Sequence, residues 1–470
     1  MKATKTKDLI DHLADVVSVS GSQVTILNET LLPSKMDRLA YSAVFSTGLV
    51  RDTARWLIWE IAQALGIFPA SIHEIYMAVG RGDLPANFTV PAINVRAANY
   101  YTSRAVFRAA NALDVGAFIF EIARSEMGYT EQRPAEYVAC VLAAAVREGF
   151  RGPVFIQGDH FQISAKNFAA NRDKEVQAVK DLMAEAVAAG FYNIDIDTST
   201  LVDLAPQTLD EQQRLNYSVC AELTQYARQI EPEGITISLG GEIGEVGGHN
   251  STPAELRAFM DGYLRTLPAG VAGISKISVQ TGTSHGGVVL PDGTLADVKV
   301  DFDTLRELSR LARVEYSTGG AVQHGASTLP ANAFNKFPQI GTIEIHLATN
   351  FQNMFFDHAP QYFIDTAYNY VLSNLKNEWK SGQTEEQFLY SARKKAIGPL
   401  KQMMWDLDAA DMARIEQALE DQFAFLFRQL GVYNTQAMTQ QWATRIAVTH
   451  PRPTESIAEE ELTMADDLAD

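Results

Sequence analysis

The chain has 470 residues and a formal net charge of −18, and 46% of its residues are apolar while 20% are charged. This composition predicts a soluble globular protein without a membrane partner, because no apolar run reaches the length of a transmembrane helix. Lys and Arg do not cluster, which excludes nucleic acid as a partner, since binding to a phosphate backbone needs concentrated positive charge.

The N-terminus and the cysteines indicate the compartment. Asp8, Asp11 and Asp15 interrupt the apolar stretch that a signal peptide requires. Cys140 and Cys220 each lie in an apolar helical pattern, which indicates two buried thiols and no disulfide framework. We therefore expect the protein to stay in the reducing cytoplasm.

The pattern of elements changes along the chain. Residues 1–85 have mainly helical periodicity and predict a helical N-terminal extension, whereas in residues 86–375 short β-branched runs alternate with amphipathic helices. Residues 376–453 return to helical patterns and predict a C-terminal extension. Residues 454–470 contain many acidic and no basic residues, which predicts a disordered tail.

The alternating part of the chain contains eight predicted strands. Strands that alternate with crossover helices favour a parallel sheet, and eight of them favour a TIM (β/α)8 barrel with helical extensions at both ends. A doubly wound sheet is the alternative, but no G-x-G-x-x-G motif follows any strand. The predicted strands are residues 90–95, 117–123, 153–159, 192–199, 236–244, 274–282, 321–325 and 342–349.

Candidate metal ligands mark the C-terminal ends of four predicted strands: His160, Glu242, His285 and His324. Because a barrel gathers its strand ends at one face, these side chains are expected to converge. Three imidazoles and one carboxylate suit Zn²⁺ or another divalent first-row metal. One histidine at a strand end is more simply a hydrogen-bonded residue, but three on separate strands favour a metal site.

Small residues follow two of these histidines. Gly286 and Gly325 come directly after His285 and His324, and Ser327 follows shortly after. Glycine lets the backbone approach a ligand and offer N–H groups to an anion, and Thr349 would add a hydroxyl at the eighth strand. The alternative is that these glycines only permit tight turns.

The motifs GDHF, DIDTST, GGEIGEVGG, TGTSHGG, VDFDTLREL, QHGASTLP and EIHLATN, in this order, resemble class II, metal-dependent fructose- and tagatose-bisphosphate aldolases over roughly residues 88–370. The resemblance implies a lyase of carbohydrate metabolism and glycolysis that uses Zn²⁺. Such an enzyme reversibly cleaves a ketose 1,6-bisphosphate to dihydroxyacetone phosphate and glyceraldehyde 3-phosphate through a metal-stabilised enediolate. It also implies a homo-oligomer, a dimer or larger.

The resemblance assigns roles to individual residues. The family's metal ligands match the four strand-end residues, and Asp159 matches the aspartate that handles the proton of the C4 hydroxyl. Asp197 matches a carboxylate near the metal. Asp195 shares its strand face by two-residue alternation, so the pattern leaves open which of the two carboxylates points at the ion. The positions that match substrate or phosphate contacts are Asn94, Gly286, Gly325, Ser327, His346 and Thr349, with His346 in place of an asparagine.

The sequence departs from the family where the catalytic loop glutamate is expected. Asn250 stands at that position, so His249 or Glu245 becomes the candidate base for the C3 proton. A histidine suits this role because its ordinary pKa is near 6.5. The alternative for His249 is an exposed loop residue without a role.

A second departure concerns the distal phosphate, because Val289 aligns with the family's lysine. Arg393, Lys394 or Lys395 would replace that cation, or else they form a solvated helix face. Alternative functions are an aldolase-like barrel for another ketose phosphate and a non-catalytic sugar-phosphate-binding partner subunit. Lys276, on the sixth strand, motivates a rival Schiff-base mechanism.

Overall fold

The computed structural model describes residues 2–244, 249–282 and 300–454. Four residues named from the sequence, Glu245, His285, Gly286 and Val289, lie outside these ranges, as does nearly all of the predicted acidic tail, residues 454–470. Within the described part of the chain, no helix is both long enough and apolar enough to cross a bilayer.

Eight parallel strands close into a barrel, which confirms the predicted TIM (β/α)8 fold. Each of the strands β4 to β11 pairs with the next, and β11 pairs back with β4. The strands are β1 Val17–Ser20, β2 Gln23–Ile26, β3 Ile67–Ala70, β4 Val90–Asn94, β5 Ile119–Ala123, β6 Gly152–Gln162, β7 Asn193–Asp197, β8 Ser238–Glu242, β9 Lys276–Val279, β10 Ala321–Gln323 and β11 Glu344–Leu347.

Helices surround the barrel and form much of both terminal regions. The α-helices are α1 Thr6–Leu13, α2 Met36–Phe45, α3 Gly48–Ala64, α4 His73–Arg81, α5 Asn99–Leu113, α6 Arg124–Tyr129, α7 Pro134–Arg147, α8 Ala165–Ala170, α9 Arg172–Ala189, α10 Leu209–Ile230, α11 Pro253–Thr266, α12 Phe302–Tyr316, α13 Lys336–Ile340, α14 Thr349–His358, α15 Gln361–Asn374, α16 Glu385–Ala392, α17 Lys401–Trp405, α18 Ala409–Gln429 and α19 Gln436–Trp442. Short 3₁₀ helices are Leu32–Lys35, Ser199–Leu201, Ala331–Ala333, Lys376–Glu378 and Arg393–Ala396.

The N-terminal region also contains strands that its helical periodicity does not predict. β1 and β2 form an antiparallel hairpin, and β3 pairs in parallel with the first residues of β6. All four residues of β3 are buried. A short buried apolar run has no periodicity that separates strand from helix, which explains why the pattern did not reveal β3.

The two ends of the chain pack against each other. The indole of Trp59 on α3 donates a hydrogen bond to the carbonyl of Val448 at 2.7 Å, and that of Trp56 donates to His450 at 3.1 Å. The ring of His450 lies edge-on to Trp59, with centroids 4.4 Å apart. The segment before the acidic tail is therefore fixed on an N-terminal helix.

A bulge in β6 determines which side chains enter the barrel. The pairing of β6 with β7 shifts by one residue between Gly158 and Phe161, so Asp159 and His160 together oppose Asp195. His160 has φ +41°, which a non-glycine residue rarely adopts. Consecutive strand residues normally point to opposite faces, and a bulge redirects one of them. Both Asp159 and His160 therefore face the barrel interior.

Replacing Gly158 by alanine tests the importance of this bulge. The added Cβ would overlap the ring of Phe161, which is fully buried. Because a buried aromatic ring cannot move without repacking its neighbours, we expect Gly158→Ala to lower the free energy of unfolding by about 1–3 kcal/mol. Urea denaturation followed by circular dichroism measures this change.

Gly128→Ala is the matched control, because Gly128 lies in α6 and a Cβ there meets no atom within 4 Å. We expect this variant to be as stable as the parent or slightly more stable. Equal stability of the two variants would show that the close packing at Gly158 is not important.

Candidate metal centre and active site

The strand ends of the barrel bring together three of the four predicted metal ligands. His160 Nδ1 lies 3.5 Å from Glu242 Oε2, and His160 Nε2 lies 2.8 Å from His324 Nδ1. His160, Glu242 and Asp197 each offer a donor atom within 4.8 Å of the others. We call His160, Asp197, Glu242 and His324 the strand-end group. The fourth predicted ligand, His285, lies outside the described residues.

Asp197 orients His160. Its Oδ2 lies 3.0 Å from His160 Nδ1 and accepts a hydrogen bond from the amide of Gln162 at 2.5 Å, while Oδ1 accepts one from the hydroxyl of Ser199 at 2.6 Å. Burial opposes ionisation, but these hydrogen bonds hold the pKa of Asp197 below its ordinary value. Asp195, in contrast, lies deeper and forms an ion pair with Lys276, so Asp197 is the one of the two that contacts His160.

Negative charge accumulates at this group. Burial, and next repulsion from Asp197, raises the pKa of Glu242 to about 8. Burial lowers the pKa of His160, but Asp159 and the neighbouring carboxylates outweigh it and raise that pKa well above its ordinary value. Two imidazoles and two carboxylates whose donor atoms lie this close together form a ligand set that suits a divalent first-row cation. The residues present therefore fit a first-row metal.

Asp159, the predicted proton carrier, lies beside this group and is nearly buried. Its Oδ1 is 3.8 Å from His160 Nε2 and 3.2 Å from His346 Nδ1. His346 in turn stacks on the ring of His324, with centroids 4.1 Å apart. The structure thus places His346 inside the barrel, next to Asp159, rather than at an open substrate surface.

The predicted phosphate-binding residues lie where β10 and β11 end. Ser327 Oγ accepts a hydrogen bond from the backbone N–H of Ala348 at 2.6 Å, which links the loop after β10 to the loop after β11. Gly325 has φ +68°, a conformation that favours glycine, and Thr349 begins α14. The structure therefore brings Gly325, Ser327 and Thr349 to one side of the barrel mouth.

Asn94 and the candidate base His249 differ in their surroundings. Asn94 is buried and donates a hydrogen bond to Glu126 at 2.6 Å, while its Oδ1 has no hydrogen-bond partner among the described residues. The side chain of His249 is 55% exposed, and its Nε2 lies 3.8 Å from Glu255 Oε1. Asn250 donates to Asp301 at 2.9 Å. No contact between His249 and the strand-end group occurs in the described part of the chain.

A layer of buried charge lies beneath the strand-end group, and most of its residues are not evident from the sequence pattern. Lys276 Nζ forms an ion pair with Asp195 at 2.9 Å and with Glu344, and it donates to Gln157 at 2.7 Å. Glu121 lies 3.0 Å from His346. Glu121 and Glu344 each lie among apolar residues of a strand. A charged residue in such a run, placed on the inward face by strand alternation, is the feature of the sequence that could have revealed them.

The ion pairs of Lys276 argue against Schiff-base catalysis. Burial opposes its positive charge, but Asp195 and Glu344 raise the pKa of Lys276 above its ordinary value. A protonated amine is not a nucleophile. Lys276 faces the barrel interior as an ion-pair partner and not as a reactive amine.

The sequence matches the family described as Fructose-bisphosphate aldolase class-II over residues 85–412. The chain belongs to this family. Membership of this family supports an aldolase-type lyase activity on a sugar phosphate. Class II aldolases are typically metal-dependent. A search of curated proteins found no match.

Solved structures of low sequence identity resemble this aldolase. A probable tagatose 6 phosphate kinase from Sinorhizobium meliloti 1021 is 15% identical with a TM-score of 0.51, and the alignment covers 80% of this chain and 98% of that one. Fructose-bisphosphate aldolase from Campylobacter jejuni is 17% identical with a TM-score of 0.47, covering 79% and 97%. The YdjI aldolase from Escherichia coli K12 is 15% identical with a TM-score of 0.40, covering 73% and 98%. At this identity the first of these similarities supports the fold alone.

The contact between Asp197 and His160 leads to a prediction about metal affinity. Because partners that orient a metal-binding histidine also raise its basicity, we expect Asp197→Asn to weaken Zn²⁺ binding roughly 10- to 100-fold. Titration of the metal-free protein in the presence of a competing chelator measures this change. His249→Ala is the control, and we expect it to leave the affinity unchanged; a normal affinity in Asp197→Asn would contradict the orienting role.

Proposed function

We propose that the chain is a zinc-dependent class II aldolase that reversibly cleaves a ketose 1,6-bisphosphate, of the fructose or tagatose type, to dihydroxyacetone phosphate and glyceraldehyde 3-phosphate. The observation that carries the proposal is the convergence of His160, Glu242 and His324 directly beside the buried carboxylate of Asp159. A purely binding protein needs no proton-handling carboxylate at this place, which disfavours the non-catalytic alternative.

His160, Glu242 and His324, together with His285, would hold the metal ion. A metal ion held there would supply Lewis-acid chemistry, which would stabilise the negative charge that develops on the ketose as its C3–C4 bond breaks. Asp159 takes the proton of the C4 hydroxyl in cleavage and returns it in condensation. His249 or Glu245 is the proposed base for the C3 proton.

The mouth of the barrel supplies the phosphate contacts. Gly325, Ser327 and Thr349, with Gly286, are proposed to bind the phosphate of dihydroxyacetone phosphate, and Asn94 is proposed to contact the sugar. The hydrogen bond between Ser327 and Ala348 supports a phosphate site on this side of the mouth. It brings a hydroxyl to the N-terminus of α14, where backbone N–H groups favour an anion. Holding the phosphate away from the reacting carbons fixes their orientation.

Lys394 is the best candidate for the distal phosphate. Arg393 donates to Asn353 at 2.8 Å and is buried, and Lys395 forms an ion pair with Glu378 at 2.6 Å. Lys394 forms no ion pair within the described ranges; its ammonium lies over the ring of Tyr129, 5.6 Å from the centroid. Burial, and next the charge of Arg96, lowers the pKa of Lys394. An anion between these two cations would relieve their repulsion.

The substrate, the homo-oligomer and the cytoplasmic location remain predictions. An aldolase-like barrel acting on a different ketose phosphate is the second candidate function. An assay that compares ketose bisphosphates with ketose monophosphates as substrates separates these two candidate functions.

Triose phosphate release from ketose bisphosphates and monophosphates tests the reaction. We expect the zinc-loaded protein to cleave at least one of them and Asp159→Asn to lower kcat roughly 10²- to 10⁴-fold, because proton transfer from the C4 hydroxyl is then lost. A coupled dehydrogenase assay measures the release, and metal analysis shows whether Asp159→Asn still holds zinc.

The control is His160→Ala, which removes a proposed ligand and is expected to abolish both zinc binding and turnover. Absence of release from every sugar phosphate, despite bound zinc, would contradict the proposed reaction. Normal turnover in both His249→Ala and Glu245→Ala would exclude these two residues as the base for the C3 proton.

A second prediction concerns Lys394. Loss of a charge-assisted phosphate contact costs about 1.5–3 kcal/mol, so we expect Lys394→Ala to raise KM for the bisphosphate roughly 10- to 100-fold, without a similar rise for a ketose 1-phosphate. Steady-state kinetics on both substrates measure the difference. Lys395→Ala is the matched control with unchanged KM, and an equal KM in both variants would exclude Lys394.

A further inference from the structure

We propose that the barrel binds a second divalent cation, below the strand-end group, through Glu121, Asp159, Asp195 and His346. We call these four residues the inner acidic cluster. They come from β5, β6, β7 and β11, and one donor atom of each lies within 4.8 Å of the others. The cluster shares one residue, Asp159, with the proposed reaction, and the other three have no part in it.

The strand positions place the cluster deeper than the strand-end group. Asp195 precedes Asp197 by two residues on β7, so both face the interior and Asp195 lies about 6–7 Å further down the barrel. Asp159 lies between the two groups because the bulge in β6 turns it inward beside His160. The cluster therefore has donors of its own but adjoins the strand-end group, since ligand atoms of Asp159, His324 and His346 also lie within 4.8 Å of one another.

Two carboxylates of the cluster have an oxygen that the described protein does not satisfy. Glu121 Oε1 is buried without a hydrogen-bond partner among the described residues, and so is Asp195 Oδ2. The two residues are 0% and 6% exposed, respectively, so bulk water does not solvate them. A buried carboxylate oxygen without a partner is costly, and a cation at the centre of the cluster would satisfy both.

His346 has the arrangement of a metal ligand. Its Nε2 lies 2.7 Å from Glu344 Oε1, so an N–H there donates to a carboxylate, as metal-bound histidines usually do. Its Nδ1 makes no hydrogen bond of good geometry and lies 3.0 Å from Glu121 Oε2 and 3.2 Å from Asp159 Oδ1. Ligand atoms about 2.0–2.2 Å from one ion are about 3.0–3.5 Å apart, which matches these separations.

Neighbouring side chains hold the cluster in place. The amide of Gln157 donates to Glu121 Oε2 at 3.1 Å, while its oxygen accepts from Lys276. Lys276 also pairs with Asp195 Oδ1 at 2.9 Å, and a Cβ at Gly240 would overlap that same oxygen. The glycine therefore leaves space for the carboxylate of Asp195, and Glu121, Asp195 and His346 each have a second partner that orients them.

The charge of the interior also favours a cation. The described residues around the cluster include one ammonium, that of Lys276. They include four carboxylates, those of Glu121, Asp159, Asp195 and Glu344. With His346 neutral, as a ligand must be, a divalent ion removes most of this excess negative charge. One imidazole and several carboxylates suit Mn²⁺, Fe²⁺ or Zn²⁺.

The number of ions bound by each chain tests this proposal, and Mn²⁺ is the probe. We expect metal-free wild-type protein to bind two equivalents of Mn²⁺ in equilibrium dialysis and to give an electron paramagnetic resonance spectrum of two coupled ions. We expect Glu121→Gln and Asp195→Asn each to bind one equivalent and to give the spectrum of an isolated ion. Two equivalents in both variants, or a single equivalent in the wild type that both variants retain, would overturn the proposal, whereas a single equivalent that both variants lose would place the fault with the strand-end site.

Glu175→Gln is the matched control, because Glu175 is a buried carboxylate that pairs with Arg124 outside the cluster. It is expected to bind two equivalents. If the cluster variants fail to fold, anomalous diffraction from wild-type crystals grown with Mn²⁺ decides: a peak in contact with Glu121 and His346 supports the site, and its absence overturns it. Both readouts are independent of aldolase activity.

Discussion

One extra residue in β6 lets two adjacent side chains, Asp159 and His160, enter the barrel from the same strand. Regular alternation would send one of them outward, to the helices. The bulge requires a positive φ at His160 and the absence of a side chain at Gly158, where the ring of Phe161 packs. The proposed metal ligand and the proposed proton carrier are therefore neighbours because of a local backbone irregularity, which the rest of the closed barrel holds in place.

The second constraint is the balance of charge inside the barrel. Carboxylates from several strands point inward, and the described interior offers them Lys276 and histidines as partners. Burial without compensation would raise the pKa of these carboxylates, as it does for Glu242 and Glu121. A catalytic ion at the strand ends and a second ion at the inner acidic cluster would supply positive charge at the two places where the donor atoms converge.

The sequence predicted the eight strands and the meeting of His160, Glu242 and His324, because strand periodicity and closure of a barrel determine both. It did not predict the bulge, since the local sequence around Gly158 reads as a continuous strand. It also left open whether Asp195 or Asp197 contacts the metal ligands at the strand ends, because two-residue alternation gives both the same face and only their depth in the barrel separates them. Glu121, Glu344 and Lys276 were not recognised as one layer, because their contacts join strands that are far apart in sequence.

The central claim is that the barrel's strand ends hold one catalytic ion through histidines and a glutamate. X-ray absorption at the zinc edge, on protein loaded with one equivalent of Zn²⁺, tests it directly. The account predicts a first shell of nitrogen and oxygen at about 2.0–2.1 Å, with the outer-shell scattering of more than one imidazole, and loss of part of that scattering in His324→Ala. A shell without imidazole scattering, or one that His324→Ala leaves unchanged, would contradict it.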